Sequence, residues 1–414
     1  MPSTLVADNN GRFGGVLINE KYSPLILGSI TIVDGDKSFI QKFFNNRITL
    51  LQNLFPRKLT LFTQAWPDVD EDTPPMVVIS SGRAEWMKTL FENAKAKNRA
   101  GAITGYNDTK TFDNGPLPWY SPYRSQRPVY ILVHHSEYGY YRSKLTGYPN
   151  VCVVGWLFPF PKKSYGPTGF GVCRFAAIEL AKSLGYHRAW LVDDNVVNVN
   201  GFPNRLTTIE ALMNDETAAI GFTGCTNNEE IAGVYEKSTF TAAGAYPMQA
   251  APLLQQVVLW NLDFLNAEGV KANFSPYFVA SNEDVSLTNF LLAGGHTKNY
   301  IKALSVIKMQ PDGDKKNAGM ETLKAFKKEL LKLLFEQEKK TQIQMGVAAP
   351  VNLEAFVNDT IIENCQNKKS DLHQTQSMVI EQVLALAVTK NWAPPKIFNP
   401  YSGFPTATVE RRAG

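Results

Sequence analysis

The stretch that most constrains this chain runs from residue 128 to 192. "PVYILVHH" (128–135) reads as a strand, and "EYGYYRSKLTG" (137–147) as a short helix closed by a glycine. "NVCVVG" (150–155) reads as a second strand, "GFGVCRFAAIELAKSLG" (169–185) as a second helix, and "RAWLV" (188–192) as a third strand. Within the second helix, Val172, Phe175, Ala176, Leu180 and Leu184 share one face, and Gly185 supplies the stop. The third strand is continuously apolar, as expected of a strand buried on both sides. Strands and helices alternating at these lengths predict an α/β fold: a Rossmann-like, mostly parallel sheet flanked by helices.

The flanking segments read more coarsely. "KLTLFTQ" (58–64) and "MVVIS" (76–80) predict strands, and 37–55 and 83–98 predict helices, which gives an N-terminal α/β region over 1–105. Residues 106–127, rich in Pro, Asn, Ser and Tyr, read as a linker or a long surface loop. The core then spans 128–318, with helices expected over 249–269 and 281–295. Residues 319–414 read as a C-terminal helical extension, beginning with the amphipathic, lysine-rich helix 320–340 and ending Pro-rich.

Composition excludes some classes. A net charge of +4 permits an anionic partner without requiring one. Cys152, Cys173, Cys225 and Cys365 form no C-x-x-C pair, which argues against a zinc ribbon and fits a reducing cytoplasm. No secretory leader and no long apolar run is visible, so a cytoplasmic protein without a membrane span is expected. The oligomeric state is not legible.

Three constellations could carry chemistry. Asp193, Asp194 and Asn195 follow the third strand, at the sheet edge where open α/β proteins bind ligands. Adjacent carboxylates there repel each other, and a hard cation such as Mn²⁺ or Mg²⁺, shared with substrate phosphates, would relieve this. A plain turn explains the same residues. Asn282, Glu283 and Asp284 open a later helix, where acids meet the helix dipole or serve as a general base. Gly169 and Gly171 precede a helix containing Arg174. Such glycines let backbone N–H groups approach an anion, or merely permit a tight loop. His134 and His135 end the first strand, and "GWLFPFPKKSYGPTG" (155–169) brings aromatics with Lys162 and Lys163 to the same edge.

In this order the motifs resemble glycosyltransferases of the GT-A fold. "TGFGVCRFAAIELAKSLGYHRAWLVDDNV" is similar to that family's Gly-led, Arg-containing helix and its strand ending in a DxD-type motif, and "SNEDVSLTNFLLAGG" to its later Glu-Asp element. The likeness covers about residues 125 to 310. Within that group the chain most resembles the TET/JBP-associated glycosyltransferases, relatives of the base J glucosyltransferase found in phages and kinetoplastids.

The resemblance implies a nucleotide-diphospho sugar donor, UDP-glucose by preference, and a hydroxyl acceptor, 5-hydroxymethylpyrimidine such as 5-hydroxymethylcytosine in DNA. Asp193, Asp194 and Asn195 would hold the metal, and His134, His135, Gly169, Arg174, Asp193, Asp194 and Gly244 the donor. Asp284 would act as base, oriented by Glu283, if the reaction inverts configuration. A phage enzyme of this kind would work in the host cytoplasm.

Two departures stand out. Asn195 occupies a position where Asp is usual, and the family's late His ligand has no clear counterpart beyond His296. Asp312 or Asp314 could substitute, or Lys308 could neutralise phosphate directly. Other readings are a glycan or protein acceptor, a catalytically degenerate nucleotide-sugar or DNA-binding module, and a Mg²⁺-dependent nucleotidyltransferase.

Overall fold

The computed structural model describes most of residues 58–339, apart from 100–105, 107–116, 159–166, 225–253, 297–299 and a few single positions, with shorter pieces on either side. Among the described residues, ten strands form one sheet: β1 (Lys58–Thr63), β2 (Met76–Ile79), β3 (Val129–His134), β4 (Val151–Leu157), β5 (Arg188–Asp193), β6 (Val196–Asn200), β7 (Ala219–Gly224), β8 (Val257–Asn261), β9 (Tyr300–Lys308) and β10 (Thr408–Ala413). Their order is β6-β9-β7-β8-β5-β2-β3-β4-β1-β10. The central run β5-β2-β3-β4 is parallel throughout. Antiparallel neighbours appear beyond it, at β8 on one side and β1 on the other. This is the Rossmann-like, helix-flanked α/β sheet expected of the GT-A architecture.

The helices are α1 (Ala84–Arg99), α2 (His135–Leu145), α3 (Phe170–Ser183), the short α4 (Leu206–Glu210) and α5 (Leu262–Asn266), α6 (Glu283–Ala293) and α7 (Ala318–Glu338). Two apolar layers cover the sheet. One gathers Val172, Phe175, Ile178 and Leu180 of α3 against Tyr130, Leu132 and Leu191. The other sets Met87 and Phe91 of α1 and Tyr141 of α2 against Val78, Ile131 and Trp190. With both faces covered, β3 is buried at every position, which is why its sequence shows no alternation. Among the described residues no helix is long and apolar enough to cross a membrane.

Four expectations change. The 1–105 region is not a separate unit, because β1 and β2 lie in the main sheet and β2 sits between β3 and β5 at its centre. Segment 106–127 is not a surface linker where it is described: Leu117, Trp119, Tyr120 and Ser121 are buried, and Trp119 packs edge-on to Trp190 at 5.5 Å. The helix expected over 249–269 is the strand β8 followed by the short α5. "VVLW" is apolar at every position, so periodicity cannot separate strand from buried helix there. Finally, the tail expected to be helical and then Pro-rich supplies the edge strand β10, parallel to β1.

The strand order locates the site. β2 is followed in sequence by β3 and β4 on one side, while β5 lies on its other side. The connections therefore diverge between β2 and β5, and the crevice at the carboxyl end of such a switch point is where open α/β sheets hold ligands.

Candidate functional site at the carboxyl ends of the central strands

A pocket of about 570 Å³ opens at that switch point. Ile79, Ser80, Ser81 and Arg83 line it after β2, and His134 and Trp156 line it at the ends of β3 and β4. Gly169, Phe170, Cys173 and Arg174 come from α3, and Asp193, Asp194 and Asn195 from the end of β5. Lys308 closes β9, and Leu323, Lys324 and Lys327 project from α7. A larger cleft of about 900 Å³ lies at the opposite end of the sheet, beside the first residues of β3 and β4. It holds none of the predicted residues.

Asp194 and Asn195 form the turn between β5 and β6. The β6–β9 register pairs Val196 with Lys308, so the end of β9 is laid beside the turn. The Asn195 carbonyl accepts the Met309 N–H at 2.9 Å. Tyr120 fixes the turn from the other side, donating its hydroxyl to the Asp194 carbonyl at 2.6 Å.

The repulsion between the two carboxylates is answered by three cations. Arg174 Nη2 and Lys308 Nζ reach the two oxygens of Asp193, at 2.8 and 2.9 Å. Arg83 pairs with one oxygen of Asp194, while Ser80 donates to the other at 2.6 Å. Burial acts to raise the pKa of Asp193, but Arg174 and Lys308 together outweigh it and hold the group below the usual carboxylate range. For Asp194, burial prevails over Arg83 and Ser80, and the pKa is raised.

Arg174 joins the two acidic motifs. Its Nε donates to Glu283 at 2.8 Å, so one guanidinium spans the end of β5 and the start of α6. Glu283 is buried, Asp284 beside it is half-buried, and neither lines the pocket. Burial, then the charge of Asp284, pushes Glu283 up to about 7, against the pull of Arg174. Asp284 is raised as well, first by burial. The two titrate as a pair.

One expected role does not survive. The N–H groups of Phe170 and Gly171 are donated to the carbonyls of Val279 and Phe278, at 3.3 and 2.9 Å. The start of α3 is thus committed to the 275–279 segment rather than open to an anion. Gly169 has φ +118°, and a Cβ on Gly171 would lie 2.1 Å from the Ser275 carbonyl oxygen. The glycines serve close packing. Gly171→Ala should therefore lower stability by about 1–3 kcal/mol through overpacking. A urea midpoint unchanged from wild type would show that the segment yields instead. Burial, then His135, lowers His134 to about 3, so its ring is neutral at pH 7. His134 lies edge-on to Trp156 at 4.9 Å, and its Nδ1 meets the Ser136 hydroxyl at 2.8 Å. His135 is half-buried against His134 and does not line the pocket.

The expected metal set does not fit a divalent cation as it stands. Each carboxylate oxygen of Asp193 and Asp194 already meets an Arg, Lys or Ser donor. Asn195 is buried, and no group of three or more His, Cys, Asp and Glu suited to a metal occurs among the described residues. Asp314 is taken up by α1: its carboxylate accepts the Glu85 N–H at 3.1 Å and its own N–H reaches the Gly82 carbonyl. His296 packs edge-on to Phe264 at 4.6 Å, away from the pocket. Gly244, Asp312, Lys162 and Lys163 lie outside the described residues.

Sequence reasoning missed Ser80, Arg83, Tyr120 and Glu137. Glu137 is fully buried on α2 and accepts Ser81 Oγ, Gly82 N–H and Asn317 Nδ2, each at 2.7 Å. It thereby fixes the loop carrying Arg83 to the residue that caps α7. A "SSGR" following a strand was the available signal, but it had been placed in a separate region.

Residues 120–319 match the model of the family described as TET-Associated Glycosyltransferase, a little under half of the chain. That segment is similar to the TET-associated glycosyltransferases. The match contains α3, the β5–β6 turn, α6 and Lys308, so the pocket is built largely from the matched segment. Arg83 and most of α7 stand outside it. A comparison with curated proteins finds no match.

Proposed function

We propose that this pocket binds a nucleotide-diphospho sugar, UDP-glucose by preference, and transfers the sugar to a hydroxyl, that of 5-hydroxymethylpyrimidine in DNA. The carrying observation is the meeting of Arg83, Arg174, Lys308, Lys324 and Lys327 around the end of β5, at the switch point of the sheet. Such a site suits a diphosphate that accumulates negative charge as the bond to the anomeric carbon breaks. In an inverting reaction the acceptor oxygen attacks that carbon, its proton passes to Asp284, and the nucleoside diphosphate leaves. Glu283, held by Arg174, orients the pair.

The DNA acceptor draws its support from α7. Lys324, Lys328 and Lys332 recur every fourth residue on an exposed face that starts at the pocket rim. Such a stripe suits a phosphate backbone, with the target base turned out of the stack towards the pocket. A Lys328→Glu, Lys332→Glu variant should lose at least about tenfold in transfer to DNA and most of its salt dependence, while donor hydrolysis without DNA stays within about twofold. Equal losses in both reactions would instead assign the stripe to folding or to the donor.

The pH dependence follows from the raised carboxylates. The base must be ionised to accept a proton, and both Glu283 and Asp284 titrate above their ordinary range. kcat/KM should therefore rise with pH along a limb displaced above the ordinary carboxylate range, because burial raises Asp284. Glu283→Gln removes the neighbouring negative charge and should move the rising limb to lower pH. An unmoved limb would assign it to another group.

The function is tested by incubating the protein with a panel of nucleotide sugars and hydroxymethylated DNA, then reading nucleoside masses. A hexosylated or pentosylated nucleoside is expected. Nucleoside diphosphate release stimulated by a glycan or protein but not by DNA would replace the acceptor and keep the site.

A further inference from the structure

The acidic turn at the end of β5 has the sequence form of a metal site but the surroundings of a cation holder. We propose that Lys308 and Arg83 themselves stabilise the departing diphosphate, in the place of a divalent cation, and that Asp193 and Asp194 act as positioning residues that hold these cations. The proposal rests on the donor-binding reading of the same pocket.

Three observations carry it. First, the carboxylate oxygens of the turn are all engaged: Asp193 by Arg174 and Lys308, Asp194 by Arg83 and Ser80. A metal bound to Asp193 would have to take an oxygen from Arg174 or from Lys308. Arg174 is buried, and its second carboxylate partner is Glu283, so withdrawing Asp193 strips a buried guanidinium of half its countercharge. Second, the donors are not exhausted by these pairs. An ammonium has three N–H donors and a guanidinium five. Lys308 spends one on Asp193 and Arg83 one on Asp194. Both side chains line the pocket, and that of Arg83 is about a quarter exposed. Third, both cations are placed by rigid elements. Lys308 is the last residue of β9, in register with Val196, and Arg83 follows a loop tied by buried Glu137 to Gly82. A fixed cation aimed at developing charge needs no reorganisation during the reaction, which is the advantage a metal would otherwise give.

On this view Asn195 is no departure to be compensated. The third position of the motif needs no charge where no metal is bound. Asn195 instead offers its carbonyl to Met309, next to Lys308, and so helps set the end of β9.

The experiment has two readouts on the full chain. Calorimetric titration with UDP is run with excess EDTA and again with Mn²⁺, and initial rates of UDP release from UDP-glucose are taken under both conditions. UDP should bind without metal, with affinity and rate changing less than about threefold on adding Mn²⁺. Lys308→Met should weaken metal-free UDP binding at least tenfold and lower kcat about 100-fold or more, and Lys308→Arg should recover much of both. A thermal melt of Lys308→Met checks that the fold persists, since Asp193 keeps Arg174. Loss of UDP binding in EDTA with recovery in Mn²⁺ would overturn the proposal, as would a Lys308→Met variant that binds UDP like wild type. Binding that follows the proposal, with no turnover of any nucleotide sugar, would keep the cation site and sink the transfer reaction instead. Absence of UDP binding under both conditions would reject the two together.

Discussion

Arg174→Met is expected to abolish sugar transfer and to lower stability by about 3–5 kcal/mol, the range for removing one partner from a buried ion pair. The melting temperature should fall by about 4–6 °C, at the roughly 2.1 cal/mol/K per residue that sets the unfolding entropy of a 414-residue chain. Arg174 is buried between Asp193 and Glu283, at 2.8 Å from each, and is the ionic bridge between α3 and both acidic motifs. Without it, Glu283 is left buried beside Asp284 with no cation between the strand end and the helix. The loss is therefore mostly the penalty of stranded charge. That gives a second, sharper expectation. Adding Glu283→Gln to Arg174→Met should recover part of the stability and none of the activity, a coupling that a double-mutant cycle reads directly. If the double variant is less stable than Arg174→Met alone by the full cost of a second independent substitution, the ion pair is not what holds α3 to α6.

Arg47→Met should be comparably damaging, although Arg47 lies far from the predicted motifs in sequence. Its side chain is fully buried and pairs with Glu338 at 2.7 Å and Glu381 at 2.6 Å, while donating to the Tyr277 carbonyl at 2.8 Å. Glu381 in turn accepts the N–H groups of Val279, Ala280 and Ser281, at 2.7 to 2.8 Å. One cation thus joins a piece of chain before the sheet, the end of α7, a piece near 381 and the loop against which Gly169 packs. Removing it leaves two buried carboxylates without a cation. A loss of about 3–5 kcal/mol is expected, and hydrogen exchange should rise first at 279–281. Donor affinity should fall with it, because that loop receives the first N–H groups of α3. A melt within about 1 °C of wild type, with exchange at 279–281 unchanged, would remove the triad from the account.

How much of this was legible depends on whether the signal was local. The strands ending at His134 and Asp193 and the helix from Phe170 carry their periodicity within themselves, and the structure places them within a few residues of the expected bounds. The gathering of Gly169, Arg174, Asp193, Asp194 and Asn195 into one pocket was also legible, because strand direction alone sends them to one edge. The partners were not. Arg83 reaches Asp194 across 111 residues of sequence, and Lys308 reaches Asp193 across 115. Nothing in one sequence says which strand lies next to β5, so "MVVIS" could not be set at the centre of the sheet. For the same reason the adjacent carboxylates suggested a missing metal, when cations supplied by distant strands and loops were an equally good answer. The glycines of "GFG" show the reverse error: a function was read into residues whose small size fits them against a backbone carbonyl.

The most direct measurement is a crystal structure with a nucleoside diphosphate bound. The account predicts phosphate oxygens within about 3 Å of Lys308 Nζ and the Arg83 guanidinium, at the carboxyl ends of β2 and β5. A diphosphate seated instead in the cleft beside the starts of β3 and β4, or bridged to Asp193 through a metal with Lys308 turned away, would contradict it.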